Sequence, residues 1–419
     1  MYRCTTINGY LITINEHESI FAQMKLYVNL ARAVVSALEM IFDENRYADK
    51  VIEKVLKQNP KWGARDRRFI AETTYDIVRW VRFLQNITEA ADGDYWKLLG
   101  GWCVLNQIPL PPWEEFKDLS EKRILERNIK MKSVRRIRES IPDWLDTLGE
   151  KELGKRWEKE LHALNEEAHV VLRTNTLKVS AKDLHILLQD SEVDTDYLRD
   201  FPDALVLKQR QNVFREPAFK DGLFEMQDAA SQLVAPFLRV NPGMRVIDAC
   251  AGAGGKTLHL AALMKNKGKL IAMDVEATKL TELQKRARRA GVSNLEIRTI
   301  DSSKTIKRLE NSADRLLLDV PCSGLGVLKR NPDAKWKLSP EFIQNVRDLQ
   351  QHILQDYCNM IKKQGLLVYS TCSVLPSENE EQVETFLKNN GEKFELLEEK
   401  HHWPSDGFDG FYMALLRRK

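Results

Sequence analysis

The chain has 419 residues, a formal net charge of +3 and 43% hydrophobic residues, enough for two or three ordinary domains with sizeable cores. Charged residues make up 30% of it, and no apolar run approaches the roughly 20 residues that a spanning helix needs, which argues against a membrane protein. The N-terminus lacks the basic-then-apolar layout of a secretion signal, so a cytoplasmic protein is expected.

Residues 1–24 fit no pattern and are read as an N-terminal lead, a candidate for disorder. From Leu26 to Arg82 apolar residues recur at three- and four-residue spacing: Leu30, Val34, Val35, Leu38 and Ile41, then Val51, Ile52, Val55 and Leu56. Glycine is scarce and strand alternation is absent, so the spacing predicts helices. The helical texture continues to about Leu148, giving an α-helical domain over 25–150. Its stretch from Lys122 to Arg138 holds eight basic residues and one acidic, Glu126. Such a run is ordinarily a solvated helix face, and it gains meaning only where an independent motif asks for RNA.

A charged helix is predicted near Lys151 to Asn165. Val170–Arg173 and Ala204–Leu207 then read as strands around a helix at Ala181–Leu188, a small α+β subdomain over 151–235. Beyond Val240 short apolar runs alternate with helical stretches. The predicted strands are Arg245–Ala249, Lys269–Asp274, Leu295–Ile300, Arg315–Asp319, Gly365–Ser370 and Gly410–Leu416. Helices fit at Thr257–Met264, Thr278–Ala290, Pro340–Ile361 and Glu378–Lys388. Alternating β and α with near-continuous apolar strands predicts a domain over 236–419 built on a parallel sheet covered on both faces. Ligands of such sheets bind at the carboxyl ends of the strands.

The six cysteines are Cys4, Cys103, Cys250, Cys322, Cys358 and Cys372. None forms a CxxC pair, so no metal site is expected, and a cytosolic chain keeps them reduced. The first strand of the sheet runs into Asp248-Ala-Cys250-Ala251-Gly252-Ala253-Gly254-Gly255-Lys256-Thr257. A strand, a glycine turn and a helix start make a nucleotide-type cradle. A P-loop needs its first glycine at position 250, which is cysteine, although Leu316-Leu317-Leu318-Asp319 mimics the strand before a magnesium-binding aspartate. A dinucleotide fingerprint needs a third glycine at position 257, which is threonine. S-adenosylmethionine remains as the third ligand class. Asp274 ends the next strand, 19 positions after Gly255, where a carboxylate can accept from ribose hydroxyls. Asp301 follows the third strand, where an acid can meet the adenine amine.

The fourth strand ends Asp319-Val-Pro-Cys322 and the fifth ends Tyr369-Ser-Thr-Cys372. A cysteine is ordinarily a small buried hydrophobe, the reading that suits Cys103, Cys250 and Cys358. Cys322 and Cys372 instead leave the sheet at its ligand-bearing edge. Methylation at carbon 5 of cytosine calls for such thiols. A thiolate adding to carbon 6 makes carbon 5 nucleophilic, a carboxyl group holds the ring at nitrogen 3 and the exocyclic amine, and release needs help. Asp319 suits the carboxyl role, and Lys256 is a cation placed to depress a thiol pKa.

These residues resemble the Sun/Fmu, or RsmB-like, RNA cytosine-5 methyltransferases. The matching stretches are Asp248 to Thr257, Asp319-Val-Pro-Cys-Ser-Gly-Leu-Gly326, Arg330-Asn-Pro-Asp-Ala-Lys-Trp336 and Ser370-Thr-Cys-Ser373. Arg173-Thr-Asn-Thr176, Gln227-Asp-Ala-Ala-Ser231 and Asp406-Gly-Phe-Asp-Gly-Phe-Tyr412 resemble further signatures, so the likeness spans about 140–419. Arg65-Asp-Arg-Arg-Phe-Ile70 with Glu72, Tyr75 and Arg79 resembles the NusB-like RNA-binding domain of the bacterial 16S rRNA members. The resemblance implies a Rossmann-like class I methyltransferase domain, an all-α NusB-like N-terminal domain and a small α+β linker subdomain. It implies Cys372 as nucleophile and Cys322 as the release-assisting thiol. It implies S-adenosylmethionine held by Cys250, Ala251, Gly252, Ala253, Gly254, Gly255, Lys256, Asp274, Asp301 and Asp319. The expected partner is RNA, rRNA first, met as a flipped or single-stranded base by a monomer without metal or membrane.

One departure stands out: Gly252-Ala253 replaces the family's Ala-Pro, which predicts a looser turn. The alternatives are a tRNA methyltransferase, or a non-catalytic RNA-binding or ribosome-assembly factor that keeps the fold. Two retained thiols argue against a pure binder, and also against a protein substrate, whose nitrogen attacks without covalent activation.

Overall fold

The computed structural model describes residues 24–419, so Cys4 and the lead segment read from 1–24, apart from Met24, lie outside the described residues. The chain divides into two compact units, one running to Leu148 and taking in Asn331–Lys337, the other holding Gly149–Arg330 and Leu338–Lys419.

The first unit is helical. Its main helices span Val28–Phe42, Ala48–Gln58, Ala64–Thr88, Tyr95–Leu105 and Glu121–Met131, and among its described residues there is no strand. The three- and four-residue spacing turns Leu30, Val34, Leu38 and Ile41 into one core with Ile77, Phe83, Leu84 and Trp102. Chain order put residues 331–337 in the domain over 236–419, and the structure corrects this. The helix at Ala48 follows Tyr47, which offers no capping side chain, and Asp333 Oδ2 accepts from Ala48 N at 3.1 Å instead. Trp336 Nε1 donates to the Val78 carbonyl at 2.8 Å, while Lys335 is buried to 1% exposure. Three side chains of this distant segment thus complete the helical core.

The second unit contains two sheets. The smaller is antiparallel, with strands β1 (Val171–Thr174), β2 (Thr195–Leu198), β3 (Phe201–Leu207) and β4 (Phe224–Met226) in the order β2-β3-β1-β4. The helix Ala181–Asp190 packs Leu184 and Leu188 against Leu172, Leu205 and Phe224. Strands β2 and β4 are four and three residues long, too short to announce a period in the sequence.

The larger sheet has seven strands: β5 (Arg245–Asp248), β6 (Lys269–Asp274), β7 (Leu295–Thr299), β8 (Ala313–Asp319), β9 (Ile361–Thr371), β10 (Phe394–His402) and β11 (Phe411–Arg418). Their order is β10-β11-β9-β8-β5-β6-β7. Strands β5 to β9 pair in parallel, whereas β11 runs antiparallel to β9 and β10 antiparallel to β11. The expected parallel sheet is therefore mixed at one edge. Strand β10, Phe-Glu-Leu-Leu-Glu-Glu-Lys-His-His, is a charged edge strand, which apolar patterning cannot find. The apolar runs have a simple cause. Ile247, Leu316, Leu318 and Tyr369 enter one core while Val246, Leu317 and Val368 enter the core on the other face, because alternate residues of a strand point to opposite sides. The helix from Pro340 stops at Tyr357 rather than Ile361, since Ile361 already belongs to β9.

Candidate active site

Parallel strands carry their carboxyl ends to one edge, and the site residues of the second unit leave from β5, β6, β8 and β9. Asp248 closes β5 and is 1% exposed. Its Oδ2 accepts from Thr257 Oγ1 at 2.7 Å, while Oδ1 has no partner. Burial pushes the Asp248 carboxyl up to about 7, the Thr257 hydrogen bond opposing. The glycine turn comes next. Gly252 sits at φ +53° and Gly254 at φ +91°, left-handed conformations that glycine adopts without strain. Two side chains pin the turn where a looser one was expected: Asp274 Oδ2 accepts from Gly252 N at 2.8 Å, and Arg286 Nη1 donates to the Ala253 carbonyl at 2.8 Å. Arg173 Nη1 hydrogen-bonds both the Gly255 carbonyl and Gln227 Oε1. Ala251 N donates to the Met273 carbonyl at 2.9 Å, which ties the turn to β6.

Asp319, Lys256 and the two thiols cluster at the ends of β8, β9 and the glycine turn. Asp319 lies opposite Ser370 in the β8–β9 pairing, so Cys322 and Cys372 follow on adjacent strand ends. Their sulfurs are 3.2 Å apart. Lys256 Nζ donates to Asp319 Oδ2 at 2.8 Å and Ser370 Oγ to Oδ1 at 2.9 Å. Burial opposes the Lys256 charge, yet Asp319, Cys372 and Asp248 outweigh it and hold the ammonium above its ordinary pKa. Lys256 also stands 4.9 Å from the centre of the Phe411 ring. The hydrogen bond with Cys372, burial and the charges of Cys372 and Glu378 push the Cys322 thiol well above its usual value. Cys322 therefore keeps its proton near pH 7 and can donate it toward the neighbouring sulfur. The backbone adds a further tie, from Gly326 N to the Cys372 carbonyl at 2.8 Å.

Asp301 is exposed and bonded locally: Oδ1 accepts from Thr305 Oγ1 at 2.6 Å, which with its own backbone N–H holds the carboxyl below its ordinary range. Cys250 lies in the turn, its thiol raised well above normal by burial and by three nearby aspartates. Burial pushes Cys358 up to about 12 and raises Cys103 further. In the helical unit, Arg67 Nε donates to the Trp62 carbonyl at 3.1 Å and Arg68 pairs with Glu72 at 2.8 Å, so these members of the Arg-rich motif secure a helix start. Within the basic run, Arg127 pairs with Glu89, Arg135 with Asp146, Arg136 with Asp143 and Arg138 with Glu139, while Lys122, Arg123 and Lys130 are exposed.

Sequence reasoning missed the second layer of residues: Glu225 with Arg286, Glu378, and Arg330, which joins Asp228 to Asp409. Several of these lie inside the motif stretches quoted above, but only folding reveals what each one touches.

The donor set suits an adenosyl ligand with a charged tail: an orphaned buried oxygen on Asp248, a glycine turn at a helix start, and Asp274 with acceptor capacity remaining. Comparisons with known proteins agree. A family model described as 16S rRNA methyltransferase RsmB/F matches residues 235–417, and an RsmF/B-like ferredoxin-like domain matches 141–214. Over 92% of its length the chain is 31% identical to the probable ribosomal RNA small subunit methyltransferase B of Synechocystis sp., all of which is covered. The crystal structure of PH0851 is 25% identical and superposes with a TM-score of 0.79 over 94% of this chain and all of that one. NSun6 from Pyrococcus horikoshii, solved with SFG, shares the fold at 21% identity and a TM-score of 0.62, covering 67% of this chain and 99% of its own. No helix among the described residues is long and apolar enough to cross a membrane.

Proposed function

The chain belongs to the RsmB/F, or Sun/Fmu, family of ribosomal RNA small subunit methyltransferases, and from that premise we propose that it forms 5-methylcytosine in 16S rRNA through a covalent cysteine–cytosine intermediate. The observation that carries this reading is the pair of sulfurs 3.2 Å apart on adjacent strand ends, next to a Lys256–Asp319 ion pair. A methyltransferase acting on a nitrogen or oxygen that is already nucleophilic needs neither thiol.

The cofactor is S-adenosylmethionine. Asp248, the turn from Cys250 to Lys256, Asp274 and Asp319 would hold it, and Asp301 would meet the adenine amine. When bound, it supplies an electrophilic methyl group. The chain's own residues do the rest. Cys372, as thiolate, adds to carbon 6 of the cytosine, forming a carbon–sulfur bond and leaving carbon 5 electron-rich. Asp319, already oriented by Lys256 and Ser370, accepts from the exocyclic amine and from nitrogen 3 once the thiolate adduct has taken up a proton there, and so holds the ring edge. Lys256 acts mainly on Asp319, its hydrogen-bonded partner, and through space on Cys372. After methylation water takes the carbon 5 proton, the electron pair of that carbon–hydrogen bond re-forms the 5–6 double bond, and the carbon–sulfur bond breaks with its pair leaving on the Cys372 sulfur. The neutral Cys322 thiol, 3.2 Å from the departing sulfur, donates to it and so favours release.

The catalytic role falls on residues 236–419, and RNA contacts are assigned to 25–150 and 151–235. Cys372→Ala is expected to abolish turnover without trapping RNA. Cys322→Ala is expected to leave a denaturant-resistant protein–RNA adduct, visible as a shifted band on a denaturing gel. Exchanged phenotypes would reverse the two roles, and turnover by both variants would end the covalent reading. Bisulfite mapping of cellular RNA with and without the gene would locate the target cytidine.

A further inference from the structure

Glu378 takes no part in the chemistry above, yet its side chain is fully buried. Its Oε2 accepts from Ser323 N at 2.7 Å and from Gln350 Nε2 at 3.1 Å, and its Oε1 accepts from Ser373 Oγ at 2.6 Å and from Ser323 Oγ. The two serine hydroxyls are 3.2 Å apart. Ser323 directly follows Cys322, and Ser373 directly follows Cys372. Gln350 Nε2 also donates to the Pro321 carbonyl at 2.9 Å, so the residue before Cys322 is held through the same carboxylate. The next residue, Asn379, extends the grip, with Nδ2 donating to the Ser373 carbonyl at 3.1 Å and Oδ1 accepting from Thr371 Oγ1.

Among the described residues no basic side chain pairs with Glu378. A buried carboxylate without a cation is costly unless donors surround it, and here all of its donors come from Ser323, Ser373 and Gln350. A charge-assisted hydrogen bond is about twice as strong as a neutral one, so this carboxylate grips harder than an amide of the same shape. We propose that Glu378 is a positioning residue for the thiol pair, its carboxylate binding the Cys322 loop to the Cys372 loop and setting the separation of the two sulfurs. The inference rests on the two-thiol reading above and adds to it the part that fixes the geometry.

Two variants test it in the full-length protein with rRNA fragment and S-adenosylmethionine. In Glu378→Gln the amide oxygen can still face Ser323 N, and the amide hydrogens can donate to hydroxyl oxygens that reverse direction, so the packing volume is kept. Ser323→Ala removes one of the donor side chains and leaves the carboxylate. Misplacement of reacting groups by about 1 Å costs on the order of a hundredfold in rate, so kcat for Glu378→Gln is expected to fall roughly ten- to a hundredfold. The KM values for both substrates are expected to stay within about twofold, since the Glu378 and Ser323 side chains are buried and spent on bonds within the chain. Ser323→Ala is expected to show the same split with a smaller fall in kcat. Cys322→Ala serves as control. If it accumulates no adduct, the two-thiol reading itself fails whatever Glu378 does. If it does accumulate adduct, an unchanged kcat in both test variants overturns the positioning role and leaves the two-thiol reading intact. A rise in KM matching the loss, or failure of both variants to fold, assigns Glu378 to the core and overturns the role as well.

Discussion

Asp248 has one carboxylate oxygen on Thr257 and the other without a partner, in a nearly solvent-free position. Its carboxyl, raised from 3.8 to about 7, makes stability depend on pH. Between those two values the folded chain holds a proton that the unfolded chain has released. The stabilising contribution is complete below the lower value and is lost as pH rises through the upper one. Asp248→Asn is expected to flatten this fall, which urea midpoints measured across the window would reveal; an equally steep fall in the variant would refute the assignment. Gly326 is critical for a different reason, available space. A Cβ there would stand 2.3 Å from the Gly410 carbonyl oxygen and 2.8 Å from that of Cys372. Backbone oxygens cannot yield as a side-chain end can, so Gly326→Ala is expected to displace the nucleophile's loop. Overpacking of this kind costs about 1–3 kcal/mol. A loss of kcat with little change in RNA affinity is the expected kinetic outcome.

At the scale of elements, the helix Ala48–Gln58 depends on a residue 285 positions away. Asp333→Ala removes the carboxylate that caps Ala48 N and is expected to cost about 1 kcal/mol of stability. Trp336→Ala loses both the hydrogen bond to Val78 and a ring packed against the helical core, an expected cost of about 3 kcal/mol. Thermal unfolding would rank the two, and a silent Trp336→Ala would show that the segment 331–337 adds nothing to the helical unit. The sheet elements were legible because their periods were strong. Long apolar strands such as β8 and β9 announced themselves, and the helix Ala277–Ala290 matched its expected Thr278–Ala290 to within a residue. Strands β2, β4 and β10 were not legible, because length or edge charge hid them. Asn331–Lys337 was misplaced because chain order carries no signal that a short segment packs elsewhere.

At the scale of the whole molecule, a net charge of +3 says little about nucleic acid, and what matters is which positive charges remain on the surface. Within the basic run, Arg127, Arg135, Arg136 and Arg138 are already paired with acids, so the exposed Lys122, Arg123 and Lys130 are the candidates for phosphate contact. Replacing these three with alanine is expected to weaken RNA binding and to reduce the salt slope by about 0.7 per lost contact with single-stranded RNA. An unchanged slope would remove this face from the interface.

The order of residues alone determined the alternation of strands and helices, the glycine turn with its acids at successive strand ends, and two cysteines at the same edge of a sheet. These features are written in short-range periods and local motifs, which chain connectivity carries directly. Tertiary structure alone decided that the sulfurs stand 3.2 Å apart, that Lys256 spends its charge on Asp319, and that Glu378 joins the two cysteine loops. It also decided that a loop after β8 completes a helical core. Such contacts join residues far apart in sequence, and their geometry exists only once the sheet has set strand register and burial has made each unpaired polar group find a partner.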